Sequence, residues 1–110
     1  MNKNFKIGLL ESLDKVKNSE KEFINLFNHG TLEVELYKPN TTDKQQPHEK
    51  DEVYIIAEGE SKFINDGEIV EVQKGDFLFV AAGKEHRFFD FSKDFSTWVI
   101  FYGTKGGETE

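Results

Sequence analysis

Read for alternation alone, the chain changes character near residue 30. Before that point apolar residues recur at every third position, Ile7, Leu10, Leu13 and Val16, a spacing that predicts a short amphipathic helix from Ile7 to about Lys17. After it, Leu32, Val34 and Leu36 alternate with Glu33, Glu35 and Tyr37, the pattern of a half-buried strand. The stretch between them, "SEKEFINLF", carries two signals. Ser19 and Glu22 form a capping-box pattern, whereas Phe23 to Phe27 reads as a strand. The tight turn offered by Asn28-His29-Gly30 favours the strand, because it lets two neighbouring segments pair.

Pro39 to Pro47, "PNTTDKQQP", has no periodicity and is expected to be a surface loop. Beyond it short apolar runs follow one another. Val53 to Ala57 stops before Gly59. "SKFIN" and "EIVEV" flank Asp66-Gly67, a strong hairpin signal. "FLFVA", "HRFFDF" and "TWVIFYG" complete the series, separated by Gly75, Gly83 and a polar turn. About eight short strands at spacings of roughly 8–12 residues make an all-β sandwich or barrel. No repeat or low-complexity segment interrupts it. The expected organisation is a helical appendage over residues 1–20, a barrel over 21–103 and a flexible tail over 104–110, "TKGGETE", which has too few apolar residues to pack by itself.

Composition narrows the partners more than the fold. A chain of 110 residues fits one domain, and eleven phenylalanines supply much of the apolar area that a small core needs. The net charge of −7 argues against nucleic acid and anionic membrane surfaces, which are recognised by clustered Lys and Arg. The longest apolar runs are far shorter than the roughly 20 residues that span a bilayer, and "MNKNFKIGLLESLDK" has no sustained apolar core or small-residue cleavage site of a signal peptide. With no cysteine, disulfides and thiolate metal sites are excluded, and the cytoplasm is the expected compartment.

Chemistry concentrates at two strand mouths. In "QQPHEKDEVYIIAEGE", His48 and Glu52 lie four apart and Gln46 two before His48, on one face of an extended chain. His86 opens another apolar strand after a Gly-Lys-Glu turn. Imidazole nitrogens and carboxylate oxygens are a donor set for a borderline divalent metal, and two histidines with one carboxylate make a facial triad that leaves metal positions open. The dense aromatic run "RFFDFSKDFSTW" belongs with the core and a dimer contact rather than with a base-stacking platform. His29 is expected at the surface, in a turn.

These two stretches resemble the paired motifs of the cupins, small single-domain jelly rolls of the RmlC-like type with a metal inside. The first cupin motif ends in His, three or four residues, Glu, six residues, Gly, matched here by His48, Glu52 and Gly59. The second runs Gly, five residues, Pro, x, Gly, two residues, His, three residues, Asn, matched by Gly75, Gly83 and His86. Gln46 stands where the family has its first metal histidine, Ala81 replaces the proline and Asp90 the asparagine. The resemblance implies a jelly-roll barrel with the short helix outside, and Gln46, His48, Glu52 and His86 around one divalent transition metal. Zinc, nickel, iron and manganese are not distinguished. Tyr54 and Trp98 are the expected pocket linings. It further implies a small polar or anionic ligand, a homodimer, and either metal-dependent oxygenase, isomerase or decarboxylase activity or a non-catalytic binding or sensing role, with or without metal. A purely structural barrel without metal is the third reading, since the family includes members that have lost the ion.

Overall fold

The computed structural model of the protein describes residues 5–109. One helix, α1 (Leu9–Ser19), precedes eight strands: β1 (Phe23–His29), β2 (Leu32–Tyr37), β3 (Asp51–Glu58), β4 (Glu60–Asn65), β5 (Glu68–Gln73), β6 (Phe77–Val80), β7 (His86–Phe89) and β8 (Ser96–Tyr102). All pairings are antiparallel. Five strands form one sheet in the order β1-β2-β8-β3-β6, and three form a second in the order β5-β4-β7. The expected all-β jelly roll with one short N-terminal helix is what the chain adopts.

The turns do what the glycines predict. Asp66 and Gly67 both have positive φ, 51° and 88°, the requirement of a two-residue hairpin turn whose twist matches the strands it joins. Gly59, where the chain leaves one sheet for the other, has φ 78°, and a β-carbon there would sit 2.8 Å from the α-carbon of Phe95. Side chains are excluded at that corner twice over, by backbone conformation and by space.

Side-chain alternation divides the apolar residues between two clusters. Tyr54, Ile56, Phe63, Val72, Val80, Phe88, Phe95, Val99 and Phe101 fill the space between the sheets, where Phe63 and Phe88 stack across β4 and β7 with ring centres 4.6 Å apart. Each fully buried side chain of this size contributes about 1.5–3 kcal/mol. The second cluster lies on the outer face of the five-stranded sheet. There Val16 meets Leu36 and Ala57, with Leu9, Leu13, Ile24, Leu26 and Trp98 around them. The helix is therefore packed onto the barrel wall, through Leu9, Leu13 and Val16, a true i, i+4, i+7 stripe. Leu10, counted in the every-third-residue pattern, points outward and is exposed. The segment after β8 folds back rather than trailing free: Gly106 N–H donates to Glu49 O at 2.7 Å and Glu108 N–H to Asp51 Oδ2 at 2.8 Å.

Candidate functional site

Strand parity points Glu52, Tyr54 and Ile56 of β3 inward, as it does His86 and Phe88 of β7 on the opposing sheet. His48 lies in the loop before β3, its ring edge-on to Phe101 at 4.7 Å. The outcome is a cluster in which one donor atom each from His48, Glu52 and His86 lies within 4.8 Å of the others. Glu52 Oε1 is 3.3 Å from His86 Nε2 and 3.9 Å from His48 Nε2. The Glu52 side chain is 1% exposed, that of His86 0% and that of His48 33%.

Hydrogen bonding fixes how these groups face one another. His86 Nδ1 lies 3.0 Å from the carbonyl of Lys84; a carbonyl can only accept, so Nδ1 carries the proton and Nε2 turns inward. Both Glu52 oxygens and the Nε2 atoms of His48 and His86 are buried without any hydrogen-bond partner. Buried polar atoms are nearly always paired, so four orphans converging on one point mark a place for a shared partner. The lone pair of neutral His86 Nε2 faces the lone pairs of a carboxylate, an arrangement that repels unless a proton or a cation lies between. A divalent ion with nitrogen and oxygen preferences fits this donor set, and the carbonyl contact behind His86 is the usual support of a metal-binding imidazole.

Their surroundings move the two imidazoles in opposite directions. Burial pushes His48 below its ordinary value, more than Glu52 raises it. For His86 burial is again the largest influence and pushes down, yet contact with Glu52 and the Lys84 carbonyl together outweigh it, and the net direction is up. Burial, followed by the charge of Glu52, holds the Tyr54 phenol well above its usual range, so it stays a proton donor.

The structure sorts the other expected site residues differently. Gln46 is exposed and lines a cleft of about 550 Å³ on the flank of the loop with Gln45, Pro47, Glu85 and His86. Its neighbour Gln45 turns inward instead, its Oε1 accepting from Tyr54 Oη at 3.0 Å and its Nε2 donating to Asp43 Oδ2 at 3.1 Å. Tyr54 lies inside as expected, fully buried with its ring 6.0 Å from that of His86. Trp98 does not: Tyr54 pairs with Val99 across β3 and β8, so the neighbouring Trp98 emerges on the opposite face, in the cluster beneath α1.

Two features were not signalled by any motif. Asp43 is buried and accepts from Tyr37 Oη at 2.8 Å, Gln45 N–H at 3.0 Å and Phe88 N–H at 2.8 Å, besides Gln45 Nε2. It thereby staples the loop that carries His48 to β7, the strand that carries His86. The second is a cavity of about 760 Å³ opening over His48 and Gln45, walled by Glu35 and Tyr37 of β2 and Val99 and Phe101 of β8. The alternation of β2 was the available signal for Glu35, since it shares a face with Tyr37.

Comparison with known proteins agrees with this architecture. The family model described as Cupin domain matches residues 33–100. An uncharacterised protein of Streptomyces coelicolor is 31% identical over 101 residues, covering 90% of this chain and 94% of that protein. Among solved structures, a cupin superfamily protein of Desulfitobacterium hafniense superposes with a TM-score of 0.63 at 20% identity, covering 74% of this chain and 76% of that one. KdgF from a Halomonas species gives 0.65 at 14% identity, with coverages of 76% and 78%. The crystal structures of DMSP lyases RdDddP and RnDddQII provide a match of 0.65 at 18% identity, over 76% of this chain and 47% of the other. With both motif histidines and the motif carboxylate gathered inside the jelly roll, and with a family match over most of the barrel, the chain belongs to the cupin family.

Proposed function

We propose that the protein holds one divalent transition-metal ion on His48, Glu52 and His86 and binds a small polar or anionic molecule in the cavity above it. The observation that carries this reading is the convergence of four buried, unpartnered donor atoms from three side chains. Glu52 cancels one of the two positive charges, and the remaining charge favours an oxygen anion or a polar oxygen as the next ligand. When bound, such an ion supplies Lewis acidity that polarises that oxygen. The protein's own part is to hold the donors in place, through the Lys84 carbonyl and the Asp43 staple, and to wall the ligand with Tyr37, Val99 and Phe101. Gln46, exposed on the loop flank, is left out of the ligand set. Oxygenase, isomerase and decarboxylase chemistry all use an open metal position of this kind, and a binding or sensing module uses it without turnover.

The test is elemental analysis of protein purified without added metal or chelator, followed by zinc and cobalt titration against a chromophoric chelator at fixed pH. One ion per chain is expected, with loss of binding in His86→Ala and little change in Gln46→His. Equal affinity in all three proteins would overturn the site.

The proposed macromolecular partner is a second copy of the chain. Phe77 and Phe79 of β6 lie opposite Ile55 and Val53 of β3, and three of these four are exposed, Phe77 at 63%. This uncharged strip on the sheet edge is where two chains of charge −7 can approach with little local repulsion. Light scattering should give a dimer mass at micromolar concentration, and a monomer for Phe77→Glu.

A further inference from the structure

Two carboxylates on β2 face the cavity side of the barrel, and their surroundings differ. Glu33 is paired with Lys50 Nζ at 2.8 Å. Glu35, half-buried in the cavity wall, has no hydrogen bond or ion pair among the described residues. It pairs across the sheet with Val99, which pairs with Tyr54, and so belongs to the row of inward positions next to the one that holds Glu52. Unpartnered carboxyls that look into a cavity are where proton chemistry is found.

We propose that Glu35 is the proton-transfer carboxyl of this cavity, acting on a hydroxyl, enol or water oxygen of a small molecule held above His48, Glu52 and His86. The inference rests on the metal-binding reading above. In the forward step the O–H bond of the ligand breaks, its electron pair stays on the ligand oxygen, and the proton forms a new O–H bond with Glu35; the reverse step returns it. Burial, then Glu33 and then Glu52, raise the proton affinity of Glu35 above that of an ordinary glutamate, the direction that lets a carboxyl carry a proton nearer neutral pH. The charged groups facing it are Glu33 on its own strand, Glu52 from β3, and His48 and Lys44 from the following loop. Glu20, Lys21 and Glu22, between α1 and β1, line the outer rim.

The experiment follows Glu35 itself by carboxyl-carbon NMR, in protein labelled at glutamate, with and without zinc. A nearby divalent cation lowers a carboxyl midpoint, so zinc should move the Glu35 midpoint down, and by more than it moves that of Glu33, which Lys50 already pairs. In the cobalt-loaded protein, the pH midpoint of the visible spectrum should fall by about one unit in Glu35→Gln, because a nearby negative charge that opposes ionisation is gone. Glu33→Gln should move it less. Zinc that binds without shifting Glu35 overturns this inference alone. Failure to bind zinc or cobalt overturns the metal site and this inference with it. Loss of metal affinity in Glu35→Gln, with no titration of Glu35 left in the loaded protein, would make it a ligand and refute the proton-transfer role.

Discussion

Glu52→Gln should make the metal-free protein more stable while removing its response to metal. In the free protein the Glu52 carboxylate is 1% exposed and neither oxygen has a hydrogen-bond partner. Leaving a polar group buried and unpaired costs about 1–3 kcal/mol by mutational measure, and a charge costs more. The approach of His86 at 3.3 Å returns part of this. Replacing the acid by its neutral isostere leaves no stranded cation, because His86 can shed its proton at pH 8. A gain of about 1 kcal/mol is expected, or roughly 4–8 °C in Tm for a domain of this size. Zinc at a hundred times its Kd stabilises the native chain by about 2.7 kcal/mol, which corresponds to roughly 10–20 °C. The variant, lacking the anionic ligand, should lose nearly all of that increment. Thermal unfolding followed by circular dichroism, in chelator and in excess zinc, reads both changes at once. If the variant melts below the native protein in chelator and still gains from zinc, Glu52 is a structural residue and the orphaned-donor reasoning is wrong.

The remaining predictions concern pH, the corner glycine and the loop staple. His48 has its proton affinity lowered on folding and His86 has it raised, so the contribution of His48 grows as pH rises to its unfolded value near 6.5, and that of His86 is lost as pH rises from there through its folded value. The metal-free protein should therefore show a local stability maximum near pH 6.5, whose alkaline side is flattened in His86→Gln; urea midpoints across pH 5–9 would check this. Gly59→Ala should cost more than about 1 kcal/mol, because φ is 78° and the new methyl meets Phe95. Gly67→Ala, with open space around it, should cost less in the same urea titration. Asp43→Ala strands four donors at the loop and should lower stability by about 3 kcal/mol or more, with faster zinc release to chelator in stopped flow.

The strands were legible because they rest on local rules, whereas the meeting of His48 and His86 was implied only by the resemblance of two separate motifs. Asp66-Gly67 dictates its own turn. Legibility failed where tertiary cover decides which face is inside. In "TWVIFY" both faces of β8 are apolar, so periodicity could not say that Val99 faces the barrel and Trp98 the helix. The same ambiguity hid Glu35, whose face in "LEVELY" looks like a solvent side until the second sheet is placed opposite. The exposure of Gln46 has a different reason. Two-residue alternation holds only for extended backbone, and the stretch before β3 is irregular, with Asp43 drawing Gln45 inward and leaving Gln46 outside.

The division of the triad between two sheets bears on how long the fold survives rather than on how it forms. Glu52 sits on β3 in the five-stranded sheet and His86 on β7 in the three-stranded one, and the ladders that hold them, β3 with β8 above all, join segments far apart in sequence. Such pairings close slowly, after loop entropy has been lost, so the three donors meet late on the folding path. A cation held by both sheets would stabilise contacts absent from the transition state. It would act as a latch on the exit: refolding should proceed at the same rate with or without the ion, while unfolding should slow when the ion is added.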